Sequence, residues 1–293
     1  MASKVYFTKT ITSEKVVEMF KILKKDLPGK VAVKVHSGEK GNFNFLRPEF
    51  LKPIIDYVKG TPVECNAAYP GERNSTEKHL KVIEEHGWNK IGNFDLMDAE
   101  GPDERIPIEN GLILKENFVG KNLKNYDSSL VIVHFKGHVA GGFGGALKQL
   151  SIGFASRAGR ALQHSGGKTS NHNECWGVHC SDKEFKEAMA DAASTIIKRF
   201  KGNMAFVALL VNISIDCDCA DKPEKPCMKD IGILSSLDPV ALDKACLDLV
   251  YNSKEEGKKK LINRIESKLG PYIIDCAVKL GLGSKDYELV NVD

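Results

Sequence analysis

Two stretches of this chain concentrate side chains that bind metals or move protons. The first is Asp216-Cys217-Asp218-Cys219-Ala220-Asp221, with Cys227 and Asp230 beyond it, at the end of the apolar run Met204–Ile215. Acids and thiols at the end of an apolar strand are costly to bury unless they are paired, protonated or bound to a cation. A cation would lower the thiol pKa values and recover that cost. Cys217, Cys219, Asp221 and Cys227 are therefore the candidate metal ligands. Redox exchange between Cys217 and Cys219 is a second chemistry, and a partly exposed acidic turn with reduced thiols is the plain structural alternative. The second stretch is His134-Phe-Lys-Gly-His138, followed by the glycine-rich Gly141-Gly-Phe-Gly-Gly-Ala-Leu-Lys148. Two histidines near a lysine can supply metal ligands or general acid and base groups. Glycines let the backbone approach a ligand, and the helix start after them would offer free N–H groups to an anion. His134, His138 and Lys148 are candidate catalytic groups, with Gly144 and Gly145 as anion contacts. Leu147 breaks both the dinucleotide fingerprint and the Walker loop, and a tight turn with exposed histidines is the alternative.

Two neighbouring segments add weaker candidates. Ser151–Ser165 carries Arg157, Arg160 and His164; arginines three apart can share a helix face and suit a carboxylate or phosphate, and His164 joins the catalytic candidates. His172, Cys175, His179 and Cys180 place four soft or borderline ligands in nine residues. Their spacing lacks the second Cys-x-x-Cys knuckle of a structural zinc site, so a polar loop with incidental thiols explains them equally well.

The elements that must position these groups alternate between strand and helix. Val5–Ile11, Val31–His36, Pro62–Asn66, Leu130–Phe135, Met204–Ile215 and Ile231–Leu234 read as strands. Helices are expected from Ser13 as cap, over Pro48–Val58, over Thr76–Glu85 with Leu80 and Ile83 inward, over Lys183–Lys201, and from Asp238-Pro239 to about Val250. Ile106–Phe118 reads as an antiparallel excursion. The pattern predicts an α/β fold with a largely parallel sheet flanked by helices in Rossmann-like layers. One compact domain over 1–293 is expected, with lobes at about 1–125 and 126–293 as its only subdivision. In such sheets ligands bind beyond the carboxyl ends of the strands. Those ends add Lys34, His36, Glu39, Asn42, Asn66 and Arg73 to the candidate anion-binding residues.

Composition narrows the classes. The 293 residues are 42% hydrophobic and 28% charged with a formal net charge of +3, an ordinary globular balance that argues against nucleic-acid binding. No apolar run is long enough for a membrane helix and the start has no apolar signal region, so a cytoplasmic protein is expected. Eight cysteines there argue against a disulfide framework.

Several phrases in order carry a family resemblance: Lys34-Val-His-Ser-Gly-Glu-Lys-Gly-Asn42, His134 to His138, Gly141 to Lys148, Cys217-Asp-Cys219, and Asp230-Ile-Gly-Ile-Leu-Ser-Ser-Leu-Asp-Pro-Val-Ala-Leu-Asp243. From about Val5 to Leu289 the chain resembles the domain of unknown function 362 family, often labelled uncharacterised iron–sulfur-centre proteins. The label comes from members with an inserted ferredoxin-like module of repeated Cys-x-x-Cys runs. This chain has the alanine-rich helix Lys183–Lys201 where that insert would fall. A cluster here would have to draw on Cys217, Cys219, Cys227 or the Cys175/Cys180 loop.

Three functions follow as expectations. The first is an enzyme with a transition metal or iron–sulfur centre near Cys217/Cys219, performing a redox or metal-assisted proton-transfer reaction on a small anionic substrate. The second is a non-catalytic metal or cofactor carrier, or an electron-transfer protein serving a redox partner. The third is a flavin- or nucleotide-binding oxidoreductase that uses the glycine loop for phosphate.

Overall fold

The computed structural model describes residues 2–101 and 103–293. Its strands are β1 (Ser3–Thr8), β2 (Val31–Lys34), β3 (Thr61–Glu64), β4 (Asp95–Leu96), β5 (Glu104–Pro107), β6 (Glu116–Val119), β7 (Ser128–His134), β8 (Lys136–His138), β9 (Gly142–Gly144), β10 (Met204–Leu210), β11 (Gly232–Ser236) and β12 (Tyr287–Asn291). Strands β7 and β10 are buried at every position, the pattern of a strand covered on both faces. They sit in the middle of an eight-stranded sheet of order β12-β1-β11-β10-β7-β2-β3-β4. The run β10-β7-β2-β3-β4 is parallel throughout, so these strands share one carboxyl edge. Strand β11 is antiparallel to both β1 and β10. The sheet is thus α/β and largely parallel, as the alternation predicts.

Side chains along a strand alternate between faces, and the core divides accordingly. Val33, Leu130, Ile132, Val207 and Leu209 pack against Val16, Met19 and Phe20 of helix α1 (Ser13–Lys21) and against Leu51, Ile54 and Ile55 of α2 (Pro48–Tyr57). Ala32, Val131, Val133, Phe206 and Ala208 face the other way. They join the core layer of Phe185, Met189 and Ile196 and of Val240, Ala241 and Leu242. Helix α3 (Thr76–Glu85) runs over its predicted span, but Leu80 points to solvent while His79, Val82 and Ile83 point inward. The cap of α1 is Thr12, whose hydroxyl accepts from Lys15 N, and not Ser13. The excursion between β4 and β7 is the two-stranded β5–β6 ribbon. Strand β10 stops at Leu210; beyond it the Ile213 carbonyl accepts from Cys227 N at 2.8 Å, a loop contact that replaces ladder pairing.

The glycine run after β7 folds as the β8–β9 hairpin followed by a short helix α4 (Ala146–Lys148) and a π turn, Gln149–Gly153. Helices α5 (Arg157–His164), α6 (Asp182–Phe200), α7 (Pro239–Asn252), α8 (Lys258–Ser267) and α9 (Tyr272–Lys279) complete the layers. The N–H groups at the start of α4 are already taken. Asp243 of α7 accepts from Ala146 N at 2.6 Å and from Leu147 N at 3.0 Å. The carboxylate the sequence suggested would come from a ligand therefore comes from the protein itself, so Gly145 serves packing and not anion binding. A Cβ on Gly145 would lie 2.4 Å from Asp243 Oδ1. Replacing Gly145 with alanine should cost about 1–3 kcal/mol as overpacking, read as a lower midpoint in urea unfolding; an unchanged midpoint would contradict this contact.

Candidate functional site

A cavity of about 450 Å³ opens at the shared carboxyl edge, and the segments that follow β2, β3, β7 and β10 reach it. His36 comes from the loop after β2, Glu64, Tyr69 and Arg73 from the end of β3 and its loop, His138 from the end of β8, and Cys217 and Cys219 from the loop after β10. Lys148, Arg160 and His164 enter from α4 and α5.

The cysteine loop is fixed from beneath by Asp218, which does not line the cavity. Its carboxylate accepts from His134 Nδ1 at 2.9 Å and Lys136 Nζ at 2.7 Å, all three side chains being buried. His134 Nε2 faces the Val211 carbonyl at 2.7 Å. Both ring nitrogens thus meet oxygen atoms of the loop or the strand end below it, which makes His134 a clamp on the loop. Burial alone would raise the Asp218 carboxyl, but His134 and Lys136 hold it well below the usual range. Above it, the Asp218 carbonyl accepts from Glu39 N at 2.7 Å, and Asn42 Nδ2 donates to the Ala220 carbonyl at 2.9 Å. Gly137 lets β8 run against the same loop; a Cβ there would lie 2.1 Å from the Ile215 carbonyl oxygen.

His138, Cys217 and Cys219 bring three donor atoms within 4.8 Å of one another, a spacing that could hold a metal ion. Cys217 is buried and Cys219 partly so. A hydrogen bond from Cys219 pushes the Cys217 thiol well below its ordinary range, helped by Lys148, Lys136 and His36; the same bond and burial push Cys219 up. His138 Nδ1 accepts from Gly141 N at 2.7 Å and Ala140 N at 3.2 Å, so the proton of the neutral ring sits on Nε2. Ligation by His138 requires the ring to give up those contacts. The thiols need only lose a proton and are the firm part of the donor set.

One wall is an ionic network. Arg73 is buried and donates from Nη1 to Glu64 Oε1 at 2.8 Å and from Nη2 to Tyr69 Oη at 2.7 Å. Tyr69 Oη donates to Glu39 Oε2 at 2.8 Å, which ties this wall to the cysteine loop. Burial would raise Glu64, but Arg73, with a hydrogen bond from His79, holds it well below the carboxylate range. Burial, reinforced by Arg73, pushes His36 down to about 4, so the ring is neutral. Burial likewise pushes His164 down to about 3, with Lys148 and Arg160 opposing its protonation.

The structure gathers His36, Arg73, His138, Lys148, His164, Cys217 and Cys219 around the cavity, and sets other candidates apart. His134, Glu39 and Asn42 brace the cysteine loop. Asn66 bonds Thr76 and His79. Lys34 is buried behind Gly153, where burial lowers it to about 8. Asp221 is exposed, and Cys227 packs on the core with its thiol toward the Ile213 carbonyl; neither belongs to the three-donor group. Gly144 packs on the Lys136 stem. Sequence reasoning missed Glu64 and Trp176, and gave Asp218 and Tyr69 no role of their own. Glu64 carries a legible signal, since an acid closing a buried strand needs a cation. Trp176 was hidden inside a segment read for its cysteines and histidines.

The family described as Domain of unknown function (DUF362) matches residues 31–248, and the chain belongs to that family. Among solved structures it is similar to the lactate racemase apoprotein from Thermoanaerobacterium thermosaccharolyticum, with a TM-score of 0.51 and 11% identity over 84% of this chain and 56% of that one. It is also similar to a structural-genomics protein from Thermotoga maritima, with a TM-score of 0.46 and 16% identity over 80% of this chain and 58% of that one. The chain thus spans less than two thirds of either structure, and the first likeness shows a shared fold. No curated protein matches. Among the described residues no helix is long and apolar enough to cross a membrane.

The buried groups give stability a definite pH dependence. His36 and His164 bind a proton near 6.5 when unfolded but only at about 4 and 3 when folded, and Asp218 is depressed below 3.8. Each binds fewer protons in the folded state, so its contribution is full above its unfolded pKa and is lost as pH falls. Urea midpoints of the metal-free protein should fall from about pH 6.5 downward and keep falling below about pH 4, where Asp218 takes over from His36. Asp218→Ala should cost about 3–5 kcal/mol at neutral pH by leaving the buried Lys136 ammonium without its counter-charge and His134 Nδ1 without its partner. Its curve should be flatter below pH 4, and equal slopes for the two proteins would contradict the Asp218 assignment.

Proposed function

We propose that this member of the family is a metal-dependent enzyme that moves a proton on a small anionic substrate. The observation that carries the reading is the donor group of Cys217, Cys219 and His138 on the wall of a closed-backed cavity. Three protein donors with a cavity in front leave a coordination position for substrate, the usual plan of a catalytic and not a structural metal site. The ion would act as a Lewis acid on a substrate oxygen. Lys148, beside Cys217 and His138, would hold negative charge that develops on the substrate. His164, pushed toward the neutral form by burial, is the group placed to take or return a proton.

The donor set favours one ion over an iron–sulfur cluster. A cluster asks for four cysteines or a near equivalent, and Cys175, Cys180 and Cys227 lie outside the group. Burial of Cys217 favours an enzyme over a carrier, which would keep its thiols accessible to a partner. A phosphate-binding role for the glycine loop loses its support because Asp243 occupies the α4 N–H groups. The name of the lactate racemase says that it acts on lactate, a small carboxylate, which agrees with an anion-binding cavity on this fold. A redox reaction is the second reading, favoured by the hydrogen bond between Cys217 and Cys219.

Metal analysis after anaerobic purification tests the proposal. About one transition-metal ion per chain is expected, lost in Cys217→Ser and in Cys219→Ser. His138→Gln should weaken binding by about 10–100-fold, the scale of a supporting group. Protein without stoichiometric metal, or a Cys217→Ser/Cys219→Ser double variant that keeps it, would overturn the reading.

A further inference from the structure

The cavity has two unlike ends. At the polar end stand the thiols, Lys148 and Arg160. Arg160 is 5% exposed, and its guanidinium donates only to neutral acceptors: Nε to the Ala155 carbonyl at 3.3 Å and Nη2 to the Cys65 carbonyl at 2.9 Å. Its Nη1 makes no hydrogen bond among the described residues. The Lys148 ammonium has neither a hydrogen bond nor an ion pair there, unlike Arg73, which is matched by Glu64, and Lys136, which is matched by Asp218. Arg160 is the buried cation of the two and has no ion pair among the described residues; an anion bound between it and the half-buried Lys148 would supply the missing counter-charge. A carboxylate suits a guanidinium fork and an ammonium acting together.

The other end is apolar and open. Trp176 is 48% exposed and Val139 60% exposed, and both line this cavity together with Ile152 and Ala140. Trp176 is not loose. Its Nε1 donates to the Ala68 carbonyl at 3.4 Å and its ring tilts over His164 at 4.7 Å, while His164 stacks on Phe185 at 4.6 Å. An aromatic stack held by backbone and facing a cavity is a preformed surface for another flat or bulky apolar group. At about 450 Å³ the space falls in the range of sites that enclose drug-sized ligands. A three-carbon acid would leave most of it to water.

We propose that the substrate is a monocarboxylate carrying an aromatic or comparably large apolar body, its carboxylate between Lys148 and Arg160 and its body against Trp176 and Val139. This rests on the reading of the cavity as a substrate site, but not on which metal is present.

Titration calorimetry with 3-phenylpropionate, 3-phenylpropanamide and propionate tests it, with metal content measured on the same samples. The phenyl acid should bind at least tenfold more tightly than either the amide or propionate. Arg160→Met and Lys148→Met should each erase the preference for acid over amide; Lys148 is partly exposed and carries the charge test if Arg160→Met does not fold. Trp176→Ala should erase the preference for the phenyl acid over propionate. Acid and amide binding within twofold of each other, propionate matching the phenyl acid, or no binding of any of the three would overturn the proposal. Stoichiometric metal without these preferences sinks the proposal and leaves the metal reading. The preferences without metal do the reverse.

Discussion

The carboxylate of Asp218, buried between His134 and Lys136, is the contact on which the rest of the site depends. It stands between Cys217 and Cys219, so whatever fixes Asp218 fixes both thiols. His134 closes β7 and Lys136 begins β8, which makes the central strand the anchor of the cysteine loop. A buried ion triad is rarely a source of net stability, because desolvation offsets the attraction. Its value here is positional, since the loop after β10 leaves the sheet at Leu210 and has little ladder pairing to define its course.

The two faces of the sheet and its carboxyl edge do different work. Apolar side chains above and below β7 and β10 bury the strands completely, and that burial lets polar groups be concentrated at one end. There the charges are sorted. Arg73 and Lys136 are matched to Glu64 and Asp218 and build walls, while Lys148 and Arg160 have no ion pair among the described residues. Histidines kept neutral by burial complete the cavity lining.

Much of this was legible in the sequence because it rests on local pattern. The fully apolar runs of β7 and β10 and the alternation of strands with helices give the sheet, and the rule that ligands sit beyond carboxyl ends picks out the right loops. What could not be read was which polar residue faces the cavity and which faces its neighbour. His134 and His138 are four residues apart in a similar context, yet one clamps Asp218 and the other reaches the thiols. Asp243 is ninety-odd positions from the glycine loop whose helix it caps, a long-range contact with no local signature. Glu64, by contrast, closes a short buried strand and could have been marked as needing a cation. Cys227 and Asp221 looked like ligands because they are near Cys217 in sequence, but the turn carries them elsewhere.

The central claim is that Cys217 and Cys219 together hold a metal ion at the cavity wall. X-ray absorption at the edge of the metal that copurifies with the chain tests it most directly. The account predicts two sulfur neighbours per ion, at about 2.3 Å if the ion is zinc, and loss of the ion in Cys219→Ser. A first shell made only of nitrogen and oxygen, or a shell unchanged in that variant, would contradict it.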